Sequence, residues 1–369
     1  MNFAFRTDAS IEIGTGHVMR CMTLARALRE KGASCFFICS EHPGNLIDKI
    51  RDDGFDVYAL PVLQNFTLYT PKQLNHDSKY TEWLGRTWEA DANKTLEILE
   101  KKDADWAVID HYALDYRWER IIHENGHYIA AIDDLADRRH ECNLLIDQNL
   151  GRNDKDYSSL VPDGCNILTG PMHAMLRPEF SSIRPYSIER RTNPLTKKIL
   201  ITLGGVDKDN ITSHVLKALS ECLLPEQMKI QVVMGPHSPW KEEVQRAADE
   251  LPWKTELLVN VSNMADLMAE ADLAIGAAGV TAWERCCLGL PALNIVLADN
   301  QKNNALALED AGAALSIQRV EKITSELPEK ISQLLDKKKL VAMQQACLNV
   351  TDGNGIQRLV NSIMCSNGK

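Results

Sequence analysis

At 369 residues the chain is too long for one ordinary core and suits two domains. Its make-up, 44% hydrophobic and 25% charged, is that of a soluble globular protein. The net charge of −10 argues against a nucleic-acid partner or an anionic membrane surface. No apolar run reaches the roughly 18 residues of a membrane span, and the first residues run straight into a strand without a signal-peptide core. A soluble, cytoplasmic monomer is expected. Ten cysteines are scattered without a C-x-x-C pair, as in a chain of reduced, buried thiols.

The first half alternates strand and helix. Strands are expected at 2–6, 35–39, 56–60, 106–110, 128–132 and 143–147, with helices near 17–31, 43–53, 86–101 and 115–125. Runs such as Trp106-Ala107-Val108-Ile109 carry no polar face, the pattern of a parallel sheet covered on both sides. Gly14-Thr15-Gly16-His17 lies between the first strand and its helix. Two glycines allow a tight turn and a close approach to a ligand, and the helix start offers free N–H groups to an anion. Met19 stands where a dinucleotide fingerprint needs a small residue, so a nicotinamide or flavin enzyme is disfavoured and no cofactor is expected. His17 occupies a position where Ser, Thr, Asp or Asn would cap better. The positive end of the helix favours a neutral imidazole there, so His17 is the expected general base.

Asp8 and Ser10 either line the same site or brace the turn. Arg20 either faces a phosphate or is a solvated helix residue. Residues 61–85 are polar, bear aromatics and are poorly periodic; a loop that long is more often functional than idle. Asp110-His111-Tyr112 ends a strand at the ligand edge. His123-Glu124-Asn125-Gly126-His127 spells the zinc-protease pattern, but Asn-Gly ends the helix and His127 opens the next strand. Its two rings therefore diverge. Asp133-Asp134 reads as turn and cap residues, and no metal is expected.

Residues 181–197 contain Pro185 and Pro194 with little apolar content and read as a linker between domains at 1–180 and 198–369. The alternation then restarts. Strands are expected from 198 and at 229–234, 255–259, 272–276, 292–296 and 314–317, with helices between them and two more near 339–348 and 354–364. Three loops at strand ends are glycine-rich or polar. Gly204-Gly205 follows the first strand and repeats the logic of the first-domain loop. Gly279-Val280-Thr281 leads into a helix whose first turn holds Glu284. Glu284 either compensates the helix dipole or takes the two hydroxyls of a ribose. Asn300-Gln301 completes the set. Both halves are therefore open α/β sheets, Rossmann-like, with ligand expected in a cleft between them.

Together Arg6-Thr7-Asp8-Ala9-Ser10, Gly14-x-Gly16-His17-x-Met19-Arg20, Ile109-Asp110-His111-Tyr112, His173 through Phe180 and Trp283 through Pro291 resemble a known family. It is that of the UDP-2,4-diacetamido-2,4,6-trideoxy-β-L-altropyranose hydrolases of pseudaminic acid biosynthesis. More distantly the chain is similar to the lipid II-forming N-acetylglucosaminyltransferases. The resemblance covers nearly the whole chain and implies the two-domain GT-B fold. It also implies a UDP-sugar substrate whose anomeric C–O bond is hydrolysed with inversion and loss of UDP, without a metal. On that reading His17 activates water. Asp8, Gly14, Gly16, Arg20, Tyr112 and Arg177 hold substrate with Gly204, Gly205, Gly279, Val280, Thr281, Glu284, Asn300 and Gln301. The rivals are a glycosyltransferase using the same pocket, a hydrolysing UDP-sugar 2-epimerase, and a non-catalytic nucleotide-sugar-binding protein.

Overall fold

Short β-branched and aromatic runs separated by turn residues form two all-parallel sheets. The structure is a computed structural model and describes residues 1–62, 80–193, 196–236 and 238–365. Most of the 61–85 loop, residues 63–79, lies outside the described residues. Chain contacts divide the molecule into one unit of Met1–Met175 with Ile356–Lys369, and a second of Leu176–Gly355.

In the first unit the strands are β1 (Asn2–Thr7), β2 (Ser34–Ser40), β3 (Asp56–Leu60), β4 (Trp106–Asp110), β5 (Tyr128–Ile132), β6 (Leu144–Asp147) and β7 (Asn166–Thr169). They lie in the order β3-β2-β1-β4-β5-β6-β7. Helix α1 (Gly16–Glu30) follows β1. Alternate residues of β1 feed opposite faces of the sheet, as the two-residue period of a strand requires. Phe3 and Phe5 join the core under α1, and Ala4 joins the core on the opposite face of the sheet.

In the second unit β8 (Lys198–Thr202), β9 (Lys229–Met234), β10 (Lys254–Val259), β11 (Leu273–Ala277), β12 (Ala292–Ile295) and β13 (Leu315–Ile317) take the order β10-β9-β8-β11-β12-β13. Each sheet therefore reverses its strand order next to its first strand, between β1 and β4 and between β8 and β11. In open α/β sheets that reversal opens a crevice at the carboxyl ends of the strands.

Two expectations about organisation need correction. The stretch read as a linker is largely a helix, α2 (Pro178–Arg190), and it packs in the second unit. Its arginines hold it, so it has no apolar stripe to read. Arg184 donates to the carbonyls of Cys287 and Thr351, Arg190 pairs with Asp272 at 2.7 Å, and Arg191 donates to Ala271 O at 2.7 Å. The final helix, α3 (Gly355–Cys365), does not belong with the residues before it. Ile356, Leu359, Val360 and Ile363, spaced at helical i, i+3, i+4 and i+7, enter the first unit's core beside Phe3 and Leu24.

Candidate active site

The crevice between β1 and β4 is built from residues that local sequence places only loosely. After β1 the chain turns through Ser10, whose hydroxyl accepts from the amides of Glu12 and Ile13, and Gly14 N donates back to Ser10 O at 2.9 Å. Gly14 adopts φ +79°, a conformation that other L-residues pay to reach. Gly16 has ordinary φ, and a Cβ there would meet nothing among the described residues. Turn geometry thus explains Gly14 but not Gly16.

His17 sits in the first turn of α1. Its Nδ1 is 2.6 Å from Oδ1 of Asp110, the last residue of β4. The register that pairs Thr7 with Asp110 brings these two chain segments together. Burial alone would push the Asp110 carboxyl up, but the Arg20 guanidinium and His17 hold it well below the usual carboxylate range. An ionised carboxylate only accepts, so the proton in this contact lies on His17 Nδ1. Arg20 donates from Nε and Nη2 to Asp110 at 2.6 and 2.7 Å, and from Nη1 and Nη2 to Asp134 at 3.0 and 2.8 Å. Tyr112 donates to Asp134 at 2.8 Å and meets the His17 ring edge-on at 4.7 Å. Tyr80 and Trp83 pack on Tyr112 with ring centroids at 5.0 and 5.8 Å.

Three residues expected to contact substrate in this unit are buried and have protein partners. Asp8 is fully buried; it accepts from Arg6 at 2.7 Å and Ser40 N at 2.6 Å, and its other oxygen lies 3.3 Å from His111 Nε2. It braces the strand ends. Arg20 is buried, with its guanidinium shared between the Asp110 and Asp134 carboxylates. Tyr112 is buried against His17. Conversely, Asp134 and the Asp110 contact went unrecognised in the sequence. Both are acidic residues at the ends of β4 and β5, and only strand order reveals them as partners of Arg20.

The rejected zinc pattern stays apart. His123 ends an exposed helix turn, while His127 is buried with Nδ1 2.7 Å from Ala104 O. Asp133 pairs with Arg138 at 2.7 Å and accepts from the Ala136 amide, a turn role. Among the described residues no group of three or more His, Cys, Asp or Glu is arranged for a metal.

In the second unit the Gly204-Gly205 and Gly279–Glu284 loops emerge from neighbouring strands, since β8 and β11 pair. Gly204 takes φ +97°, and Gly204 and Gly205 are exposed. Asp207 accepts from the amides of Ile211 and Thr212, closing the following helix start, so the exposed backbone is that of the glycine pair. Gly235 has no room for a side chain: a Cβ would lie 1.9 Å from Gly205 O. Arg285 donates to Ala277 O at 2.6 Å, Asn294 Oδ1 at 2.8 Å and Thr281 Oγ1 at 3.3 Å, splinting the turn that carries Gly279, Val280 and Thr281. Gln301 accepts from Leu297 N and lies beside Gly279, with Asn300 exposed next to it. Glu284 is 9% exposed, and burial pushes its carboxyl up to about 7. Arg177 partly offsets that effect, with Nη2 3.7 Å from Glu284 and Nη1 2.9 Å from Glu179.

With this geometry in hand the comparisons with known proteins carry weight. Residues 198–359 match the glycosyltransferase family 28 C-terminal domain. An uncharacterized protein of Methanocaldococcus jannaschii is 26% identical over 82% of this chain, which spans 56% of that relative's length. The spore coat polysaccharide biosynthesis protein SpsG of Bacillus subtilis is 26% identical over 97% of this chain and 96% of its own. The UDP-2,4-diacetamido-2,4,6-trideoxy-beta-L-altropyranose hydrolase of Campylobacter jejuni is 26% identical over 85% of this chain and 97% of its own. The crystal structure of Acinetobacter baumannii MurG matches with a TM-score of 0.69 over 98% of this chain and 99% of that one, at 16% identity. At that identity the likeness is one of fold, and the fold is GT-B. No helix among the described residues is long and apolar enough to cross a membrane.

Proposed function

We propose that this chain hydrolyses a UDP-linked, acetamido-bearing deoxy sugar, of the 2,4-diacetamido-2,4,6-trideoxy-β-L-altropyranose type, to UDP and the free sugar. The observation that carries the reading is the His17–Asp110 pair at the β1/β4 crevice, a carboxylate-oriented imidazole with its second nitrogen free to act as base. His17 Nε2 takes a proton from water as the water oxygen bonds to the anomeric carbon. The C–O bond to the diphosphate breaks on the opposite side, UDP leaves with the bonding pair, and the carbon inverts. Asp110 stabilises the imidazolium that forms. Exposed backbone at Gly204-Gly205 supplies amides for the diphosphate, and Glu284 accepts from the ribose hydroxyls. These donors leave UDP stabilised as it departs. The similarity to the Campylobacter hydrolase over 85% of this chain supports this reading.

A second reading has its own support. The family-28 match over 198–359 favours a glycosyltransferase, in which His17 would deprotonate an acceptor hydroxyl in place of water. Incubation of the UDP-sugar in ¹⁸O-water without acceptor separates the two. Label at the sugar C1 with release of UDP supports hydrolysis; UDP release only when an acceptor is added supports transfer. His17→Asn should lower hydrolysis by a factor of about 100 or more and leave UDP binding intact. Turnover near the wild-type rate would sink the assignment.

A further inference from the structure

Ten cysteines are present, and one pair combines mutual contact with access to solvent. Cys142 stands two residues before β6 and Cys165 one residue before β7. Their Sγ atoms are 3.7 Å apart. Leu144 pairs with Asn166, and Asn166 N donates to Asn143 O at 2.9 Å, so Cys165 lies level with Asn143, one residue along the neighbouring strand from Cys142. Adjacent strands lie about 4.8 Å apart. With one residue of offset, a rise of about 3.3 Å, the two Cα atoms come about 5.8 Å apart, inside the roughly 4.4–6.8 Å that a disulfide spans. Cys142 is 4% exposed, whereas Cys165 is half-buried. The neighbouring thiol pair in the second unit, Cys286 with Cys347, is buried on both sides and closed to an oxidant.

We propose that Cys142 and Cys165 are a redox modification site, closing to an intramolecular disulfide when the chain meets a small disulfide oxidant such as oxidised glutathione. Cys165 attacks first. Its thiolate bonds to one glutathione sulfur, and the other glutathione leaves as thiolate and takes up a proton. Cys142 then loses its proton, attacks the Cys165 sulfur and displaces the second glutathione. Two protein thiols are oxidised by two electrons and one glutathione disulfide is reduced to two thiols. The assignment of the first nucleophile follows from the contact itself. The contact between the two thiols, aided by the Leu145 backbone, holds the Cys165 thiol below its ordinary value while Cys142 is pushed up. Cys165 is also the accessible one.

The bond would tie the edge strand β7 to β6 at their amino ends. Asp110, His17 and the other site residues gather at the carboxyl ends of the strands, so closure leaves that edge untouched. The full-length protein is treated with oxidised glutathione, alkylated, digested and mapped by mass spectrometry. The expected product is a Cys142–Cys165 crosslinked peptide, with the thermal midpoint raised by several degrees and restored by dithiothreitol. Cys142→Ala should stop at a Cys165–glutathione adduct, react with iodoacetamide more slowly at Cys165, and keep the wild-type melting in reducing buffer. Recovery of both residues alkylated, or of the Cys165 adduct alone in the wild-type protein, overturns the proposal.

Discussion

Glu284→Gln separates the folding cost of a buried carboxylate from the ribose binding proposed for it. The side chain is 9% exposed, and burial lifts its pKa from 4.5 to about 7 despite Arg177 and Arg285 nearby. Because the folded value is the higher one, the folded chain holds a proton that the unfolded chain releases. Stability from this group is therefore complete below about 4.5, declines as pH rises toward 7, and is absent above it. That gap, at about 1.4 kcal/mol per pH unit, sets a ceiling of about 3 kcal/mol on the cost at pH 8. Glutamine has the same shape and no charge to desolvate. In the second unit of Leu176–Gly355 that stabilisation corresponds to a midpoint rise of up to about 6–12 °C at pH 8, shrinking to about a quarter of that at pH 5. Binding should move the other way. Two ribose hydroxyls donating to a carboxylate are worth about 1.5–3 kcal/mol each, so UDP affinity at pH 8 should fall at least tenfold in the variant. Wild-type affinity should itself weaken as pH drops below 7 and the carboxyl protonates. Differential scanning calorimetry and titration calorimetry at pH 5, 7 and 8 read both effects. Equal midpoints for the two proteins at pH 8 would refute the burial argument; equal UDP affinities would refute the ribose assignment alone.

Asp110→Asn keeps the shape of the side chain but presents an amide to His17 or Arg20. It should cost hydrolysis a factor of about 100 or more, and the loss of a buried partner for Arg20 should cost about 3–5 kcal/mol in urea unfolding. Undiminished turnover would remove Asp110 from the mechanism. Gly14→Ala should lower stability by about 1–2 kcal/mol because φ is +79°. Gly16→Ala should leave urea unfolding within about 0.5 kcal/mol of wild type, since a Cβ there meets nothing among the described residues. Its expected loss is in kcat/KM, and an unchanged kcat/KM would show that no substrate approaches that backbone.

The fold was largely legible because its strands are apolar throughout and its turns are marked by glycine and asparagine. Twelve of the strands fall where periodicity places them; β7 escaped because Asn166–Thr169 is four residues long and none of them is buried. Helix α2 escaped for a different reason. Pro185 reads as a breaker, and arginine-to-carbonyl bonds hold the helix where an apolar stripe would normally do so. At the site, His17 and the glycine loops announce themselves by residue types that do not suit plain caps and turns. Asp110, Arg20 and Asp134 do not, because their roles depend on β1 lying beside β4, and β4 beside β5. Strand order is long-range information, and short-range spacing carries none of it. Asp8 shows the converse: a polar residue after a strand looks like a ligand contact until its burial with Arg6 and Ser40 is seen.

The placement of α3 has a consequence for biosynthesis. Ile356, Leu359, Val360 and Ile363 complete a core whose other members are nearly all made within the first 175 residues. A ribosome therefore delivers the last piece of the first unit only after the whole second unit has emerged. The second unit, contiguous in sequence, can close as soon as it is exposed, while the first waits with an uncovered apolar groove. Loss of the chain from Ile356 onward would thus damage the beginning of the protein, and leave its middle sound.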